Sequence, residues 1–276
     1  MATCPFLPRL PVSAALLALA PLAPLAALAG LAQACDAGKT SSPPIVTHGR
    51  VGDEAPKADQ LVPAVDVLER VTGSAKATDT LPMVVVIHGR GDRPESFVGL
   101  LEGLDRPARI IAPRGPTPWN QGYSWFALRD SLSDEEVARG IVQAADAIAT
   151  TLRRLLLERP TQGKPIITGF SQGGALSFAL AIRHPDLVAG AFPLGGWVPP
   201  SLLPAPGAAT APMVALHGEA DERIPVGPTR DAVTTLRQRG ARVEFRTYPG
   251  VGHSVSAEMR RDLELLLRET IGPAPR

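Results

Sequence analysis

The chain has 276 residues, enough for one large domain with an extension, and 45% of them are hydrophobic against 20% charged. Its formal net charge of +1 provides no electrostatic footprint for an anionic polymer or surface, so no nucleic-acid partner is expected. The two cysteines are Cys4 and Cys35, and removal of the N-terminal segment leaves at most one thiol, which excludes an intrachain disulfide in the mature chain.

Residues 1–34 read as a cleaved export signal. They carry a single charge, Arg9, then an Ala/Leu run from Ala14 to Leu31 that closes in the small-x-small string Ala32-Gln33-Ala34. Pro21 and Pro24 interrupt the run and no basic cluster follows it, which disfavours a membrane anchor. Cys35 stands directly after the expected cleavage point and resembles the lipidated cysteine of bacterial lipoproteins, although Leu31 lies four residues before it rather than the usual three. Soluble export and lipid anchoring at Cys35 both stay open, and membrane contact is expected only through such an anchor. Residues 35–60, rich in Gly, Pro, Ser and charge, read as a flexible tether that includes a solvated His48. Residues 61–276 are expected to form the folded domain.

Within that domain the partly alternating stretch from Ala64 to Val71 predicts an edge strand, and Met83–Ile87 predicts a strand covered on both faces. A short helical stretch after Arg93 reaches about Leu104, and a strand spans Arg109–Ala112. A long loop from Pro113 to Leu128 then gathers Trp119, Tyr123, Trp125 and Phe126. Ser133 and Glu136 predict a capping box opening a helix to about Arg159. A strand from Ile166 leads into a helix that Pro185 stops, with His184 near its end as a partner for the helix dipole. Strands at Ala189–Leu194, Pro212–Leu216 and Val243–Tyr248 and helices at Thr229–Arg239 and Ala257–Ile271 complete the pattern. This alternation argues for an α/β domain with a mostly parallel central sheet and helices on both faces.

In such a sheet the loops at the carboxyl ends of the strands form the site. Gly169-Phe170-Ser171-Gln172-Gly173 is a G-x-S-x-G turn between strand and helix, which exposes a serine hydroxyl at a helix N-terminus. A hydroxyl becomes nucleophilic when a base takes its proton and an acid orients that base. His253, in a glycine-rich turn, is favoured as base over His217, which shares a strand end with Asp221 and is expected to shape the loop. Glu219 competes with Asp221 for the acid, and His88 is expected to support the loop that supplies an oxyanion donor.

The strings Ile87-His88-Gly89-Arg90-Gly91-Asp92, Gly169-Phe170-Ser171-Gln172-Gly173-Gly174, His217-Gly218-Glu219-Ala220-Asp221-Glu222-Arg223-Ile224-Pro225 and Gly252-His253 together resemble the phospholipase/carboxylesterase family of α/β hydrolases. The loop Ala112-Pro113-Arg114-Gly115-Pro116 with the later Trp125-Phe126 is similar to it too, and the resemblance runs from about Leu81 to Ile271. It implies the α/β-hydrolase fold, with Ser171 as nucleophile, His253 as general acid/base and Asp221 as its orienting carboxylate. It also implies an oxyanion hole from the backbone N–H groups of Arg90 and Gln172. Arg90 stands where many thioesterase relatives have Leu, which alters the pocket wall and leaves a backbone donor in place. The expected activity is hydrolysis of small or acyl-chain carboxylic esters through an acyl-enzyme, with no metal and no cofactor. Trp119, Tyr123, Trp125, Phe126 and Trp197 either line an acyl or aromatic pocket or simply pack the loops. A feruloyl or polymer esterase, a serine peptidase on the same fold, and a non-catalytic surface-binding lipoprotein are the alternatives.

Overall fold

A computed structural model of the protein describes residues 64–128 and 131–272. The expected signal at 1–34, Cys35 and the expected tether at 35–60 lie outside the described residues.

Seven strands form one sheet in the order β1-β3-β2-β6-β7-β8-β9. β1 (Val67–Val71) runs antiparallel to β3 (Arg109–Pro113) at one edge. β2 (Met83–Ile87), β6 (Ile166–Phe170), β7 (Gly190–Leu194), β8 (Met213–Gly218) and β9 (Val243–Tyr248) pair in parallel with their neighbours. Every residue of β2 is fully buried. Side chains alternate across a strand, so Met83, Val85 and Ile87 enter one core and Val84 and Val86 the other. The first core is roofed by α2 (Asp134–Glu158), α3 (Gln172–Arg183) and α4 (Val226–Gln238). The second is roofed by α1 (Pro94–Phe97), the 3₁₀ turn Val98–Leu101 and α5 (Ala257–Ile271).

Local signals explain where these elements begin. Ser133 accepts from Glu136 N–H while the Glu136 carboxylate reaches back to the Ser133 N–H, the capping box read from sequence. Ser256 caps α5 in the same manner through Met259 N–H.

The loop expected between Pro113 and Leu128 contains a hairpin that pattern alone did not indicate. β4 (Thr117–Trp119) and β5 (Gly122–Ser124) pair antiparallel around Asn120, which sits at φ 51°. Three-residue strands, one with a proline inside it, offer no alternation to read. The asparagine, tolerant of the left-handed region, is the signal that marks the turn. His184 also differs from expectation. Besides ending α3, its Nε2 lies 2.9 Å from Asp146 Oδ1 on α2, so a neighbouring carboxylate holds it more specifically than a helix dipole does.

Parallel register gathers the chemistry. Ile87 pairs with Gly169, Phe170 with Leu194, Leu194 with Leu216, and Gly218 with Tyr248, so these strands end along one edge of the sheet. The loops carrying His88, Ser171, Asp221 and His253 all leave from that edge.

Candidate active site

Ser171 occupies the sharp turn between β6 and α3 at φ 59° and ψ −115°, a backbone conformation rare for a residue with a Cβ. Its N–H donates to Leu194 O at 3.0 Å and its carbonyl accepts from Ala175 N–H at 3.0 Å, which hold the turn from both sides. The flanking glycines are required by space. A Cβ on Gly173 would lie 1.9 Å from Ile87 O, and one on Gly169 would lie 2.6 Å from Gly173 O. Backbone therefore approaches backbone where β2, β6 and α3 meet, and the serine is lifted clear of them.

The Ser171 hydroxyl lies 2.9 Å from His253 Nε2, and His253 Nδ1 lies 2.7 Å from Asp221 Oδ2. An imidazole with its proton on Nδ1 donates to Asp221 and accepts from the serine. Asp221 Oδ1 accepts from the N–H groups of Arg223 at 3.0 Å and Ile224 at 2.8 Å, so both carboxylate oxygens are engaged and the side chain has one orientation. The His253 loop is stitched to the Asp221 loop by Ala220 N–H to Val251 O (2.9 Å) and Glu219 N–H to Tyr248 O (3.0 Å). Phe170, the residue before the serine, lies against the His253 ring with centroids 4.7 Å apart and limits its rotation. Nothing in the sequence singled out Phe170 for that task.

The rivals have other partners. His217 Nε2 donates to Ile224 O at 2.8 Å and lies 3.6 Å from Asp221 Oδ2, beyond hydrogen-bond reach. Burial holds its pKa below the usual histidine value, so the imidazole stays neutral and adds no second cation beside Asp221. Glu219 accepts from Thr247 Oγ1 at 2.6 Å, whereas the carboxylate on His253 Nδ1 is that of Asp221. His88 is fully buried: its Nε2 accepts from Gly115 N–H at 3.0 Å, which places its proton on Nδ1, 2.7 Å from Gly89 O. Burial lowers its pKa too, and it shapes the loop.

That loop presents Arg90 N–H, and α3 presents Gln172 N–H at its first turn, where a helix has no internal acceptor. Neither donor has an acceptor among the described residues. Glycines on both sides of Arg90 keep the loop close to the serine; a Cβ on Gly89 would lie 3.4 Å from Ser171 Cβ. Gly91 N–H donates to Tyr123 O (2.8 Å) and Tyr123 N–H donates to Asp92 O (3.0 Å), which ties the hairpin to the same loop. The fully buried Gln172 side chain accepts from Trp125 N–H (3.0 Å) and Ser124 Oγ (3.2 Å) and donates to Phe126 O (2.8 Å).

The five aromatics do not form one pocket. Trp125 is buried with its indole N–H on His88 O at 3.0 Å, and Phe126 is buried edge-on against Trp197. Both join the hydrophobic core beneath α2 and α3. Tyr123 lies beneath the Arg114 guanidinium, while Trp119 lies beneath that of Arg90 and stays 41% exposed. A cavity of about 1060 Å³ between the hairpin, α2 and the start of β1 includes Tyr123, Trp125 and Phe126 in its wall, and neither Ser171 nor His253. Among the described residues no group of three or more His, Cys, Asp or Glu side chains is placed to hold a metal ion, and no helix is long and apolar enough to cross a membrane.

Residues 70–271 match the family model described as Phospholipase/Carboxylesterase. The chain is similar to a protein of Oryza sativa subsp. japonica named a probable inactive carboxylesterase, with 28% identity over 193 residues covering 62% of this chain and 78% of that one. It is also similar to an acyl-protein thioesterase 1 of Mycosarcoma maydis, with 29% identity over 214 residues covering 67% of this chain and 89% of that one. Among solved structures, esterase PE8 superposes with a TM-score of 0.63 at 22% identity, over 75% of this chain and 98% of that one, which bears on the fold alone. With the family model spanning most of its length and the sheet carrying the matching loops at one edge, this chain belongs to the phospholipase/carboxylesterase family of α/β hydrolases and is an enzyme of the serine-hydrolase class.

Proposed function

We propose that the protein hydrolyses carboxylic esters through an acyl-enzyme on Ser171. The observation that carries this reading is the unbroken line of hydrogen bonds from Ser171 Oγ through His253 to Asp221, at 2.9 Å and 2.7 Å, beside two N–H donors with no acceptor among the described residues.

As Ser171 Oγ attacks the ester carbonyl, His253 Nε2 takes its proton, and Asp221 stabilises the imidazolium through Nδ1–H. The negative charge moves to the carbonyl oxygen, which the N–H groups of Arg90 and Gln172 and the N-terminal end of α3 stabilise. His253 then protonates the departing alcohol. A water molecule gives up a proton to His253 as it attacks the acyl-serine, and His253 returns that proton to Ser171 Oγ as the acid departs. The low-lying Phe170 ring and the tightly held Asp221 keep His253 aligned for both proton transfers.

Export is part of the proposal, supported by the Ala/Leu run and Ala32-Gln33-Ala34, with Cys35 as the residue that a lipid anchor would modify. Mass spectrometry of the mature N-terminus separates a free Cys35 from a diacylated one. For the chemistry, wild-type protein should label with a fluorophosphonate probe and cleave p-nitrophenyl acetate. Ser171→Ala should do neither, and full activity in that variant rules the mechanism out.

A further inference from the structure

The hairpin carries two arginine–aromatic stacks that differ in one respect. Arg114 lies over Tyr123 with its guanidinium 5.1 Å from the ring centroid, and its charge is met by the Asp66 carboxylate. Arg90 lies over Trp119 at the same 5.1 Å, yet no carboxylate among the described residues comes within 4.0 Å of it. Its one hydrogen bond there runs from Nη1 to Leu128 O at 3.2 Å. Asp92, the nearest acidic residue along the loop, turns its Oδ1 to Arg93 N–H instead.

Indole and carbonyl together fix the Arg90 side chain without neutralising it, and the ring is itself fixed because β4 pairs with β5 and β5 is tied to Gly91 and Asp92. The same residue supplies the backbone N–H assigned above to the ester oxygen, so its own side chain tethers the guanidinium to that loop. An ordered guanidinium whose other N–H groups meet no acceptor among the described residues is suited to a carboxylate, which it can hold with two parallel hydrogen bonds. An aliphatic chain in that place would strip water from the cation with nothing returned.

Resting on the ester-hydrolase reading above, we infer that Arg90, held by Trp119, is a specificity-determining residue that selects esters bearing a carboxylate near the scissile bond, such as half-esters of short dicarboxylic acids. The guanidinium binds the free carboxylate while the adjacent Arg90 N–H receives the ester oxygen. Trp119 is the positioning residue for that cation.

Hydrolysis of monomethyl succinate, glutarate and adipate, each beside the methyl alkanoate of matching length, tests this by proton release in a pH-stat. Wild-type protein should give a kcat/KM for at least one half-ester about tenfold or more above its neutral counterpart, shrinking as salt rises from about 0.01 M to about 1 M. The ratio of charged to neutral ester within each variant cancels any loss of folded protein. It should fall at least about tenfold in Arg90→Leu, fall less in Arg90→Lys, invert in Arg90→Glu, and drop in Trp119→Leu. A ratio that Arg90→Leu and Arg90→Glu leave unchanged overturns the inference while the neutral esters are still cleaved. Cleavage of p-nitrophenyl acetate but of neither series overturns the inference alone, and cleavage of none of the three overturns the ester-hydrolase reading with it.

Discussion

At Ser171 the chain holds an L-residue at φ 59°, a conformation that costs roughly 1–3 kcal/mol and that a glycine adopts freely. Under the proposed mechanism, stability and reactivity are therefore set against each other at one position. Ser171→Gly should unfold in urea at higher concentration than Ser171→Ala, by about 1 kcal/mol in free energy, while both lose ~10⁴-fold in kcat/KM. Equal stability of the two variants would show that the turn is unstrained. The two buried histidines make a second residue-scale prediction. Burial lowers the pKa of His88 and His217 below 6.5, so the folded state binds fewer protons than the unfolded chain just below that pH. Their contribution is fully present above about pH 6.5 and is lost as pH falls toward their folded values. Urea titrations from pH 8 to pH 5 should show stability declining on the acid side, with a shallower decline in His217→Asn.

The packing between elements explains why the turn cannot relax. Gly173 is the first-turn residue of α3 that touches β2, and Gly173→Ala would drive a methyl group into Ile87 O. Because the obstacle is backbone in a fully buried strand, the helix must shift, and the variant should lose about 3 kcal/mol or more of stability by chemical denaturation. Gln172 joins the same helix to the hairpin. Gln172→Leu keeps the side-chain volume and the backbone donor but leaves Trp125 N–H without its acceptor and Phe126 O with the Ser124 hydroxyl alone. It should cost about 2–4 kcal/mol and raise hydrogen exchange at Trp125, since unpaired buried groups are expensive. Exchange unchanged there would mean that the hairpin is held by β4–β5 pairing alone.

Across the whole molecule, the edge strand β1 is locked by an ion cluster. Glu69 meets Arg109, whose side chain is fully buried, and also Arg159 at 3.0 Å. Arg109 donates further to Ala77 O and Asp79 O. Burial raises the Glu69 pKa, but the two guanidinium groups outweigh it and hold the carboxyl below its usual range. Its stabilisation is thus present near neutral pH and is lost only as pH falls through that lowered value. Glu69→Gln should cost about 2–3 kcal/mol at pH 7 by leaving Arg109 underpaired, with kcat/KM on p-nitrophenyl acetate nearly unchanged. A large drop in activity would show that the β1 edge is coupled to the site.

Much of this architecture is local, and so was open to reading in sequence. β-branched runs such as Met83–Ile87, the Ser133/Glu136 capping box, and the punctuation at Pro185 fix the parallel sheet and its helices because each acts within a few residues. The order of Ser171, Asp221 and His253 and the glycines around them likewise lie in plain view along the chain. Contacts between distant segments are another matter. That Phe170 braces His253, that Gln172 anchors Trp125, that the aromatics divide between core and rim, and that Arg114 meets a carboxylate while Arg90 meets none among the described residues, were decided by tertiary structure. The sequence by itself determined which groups could do acyl transfer; only the fold, by closing strand-end loops that are up to 165 residues apart in sequence (88 to 253) against one another, decided which of them meet. The physical reason is that residue type and local spacing set backbone preference, whereas hydrogen-bond partners and burial belong to the packed whole.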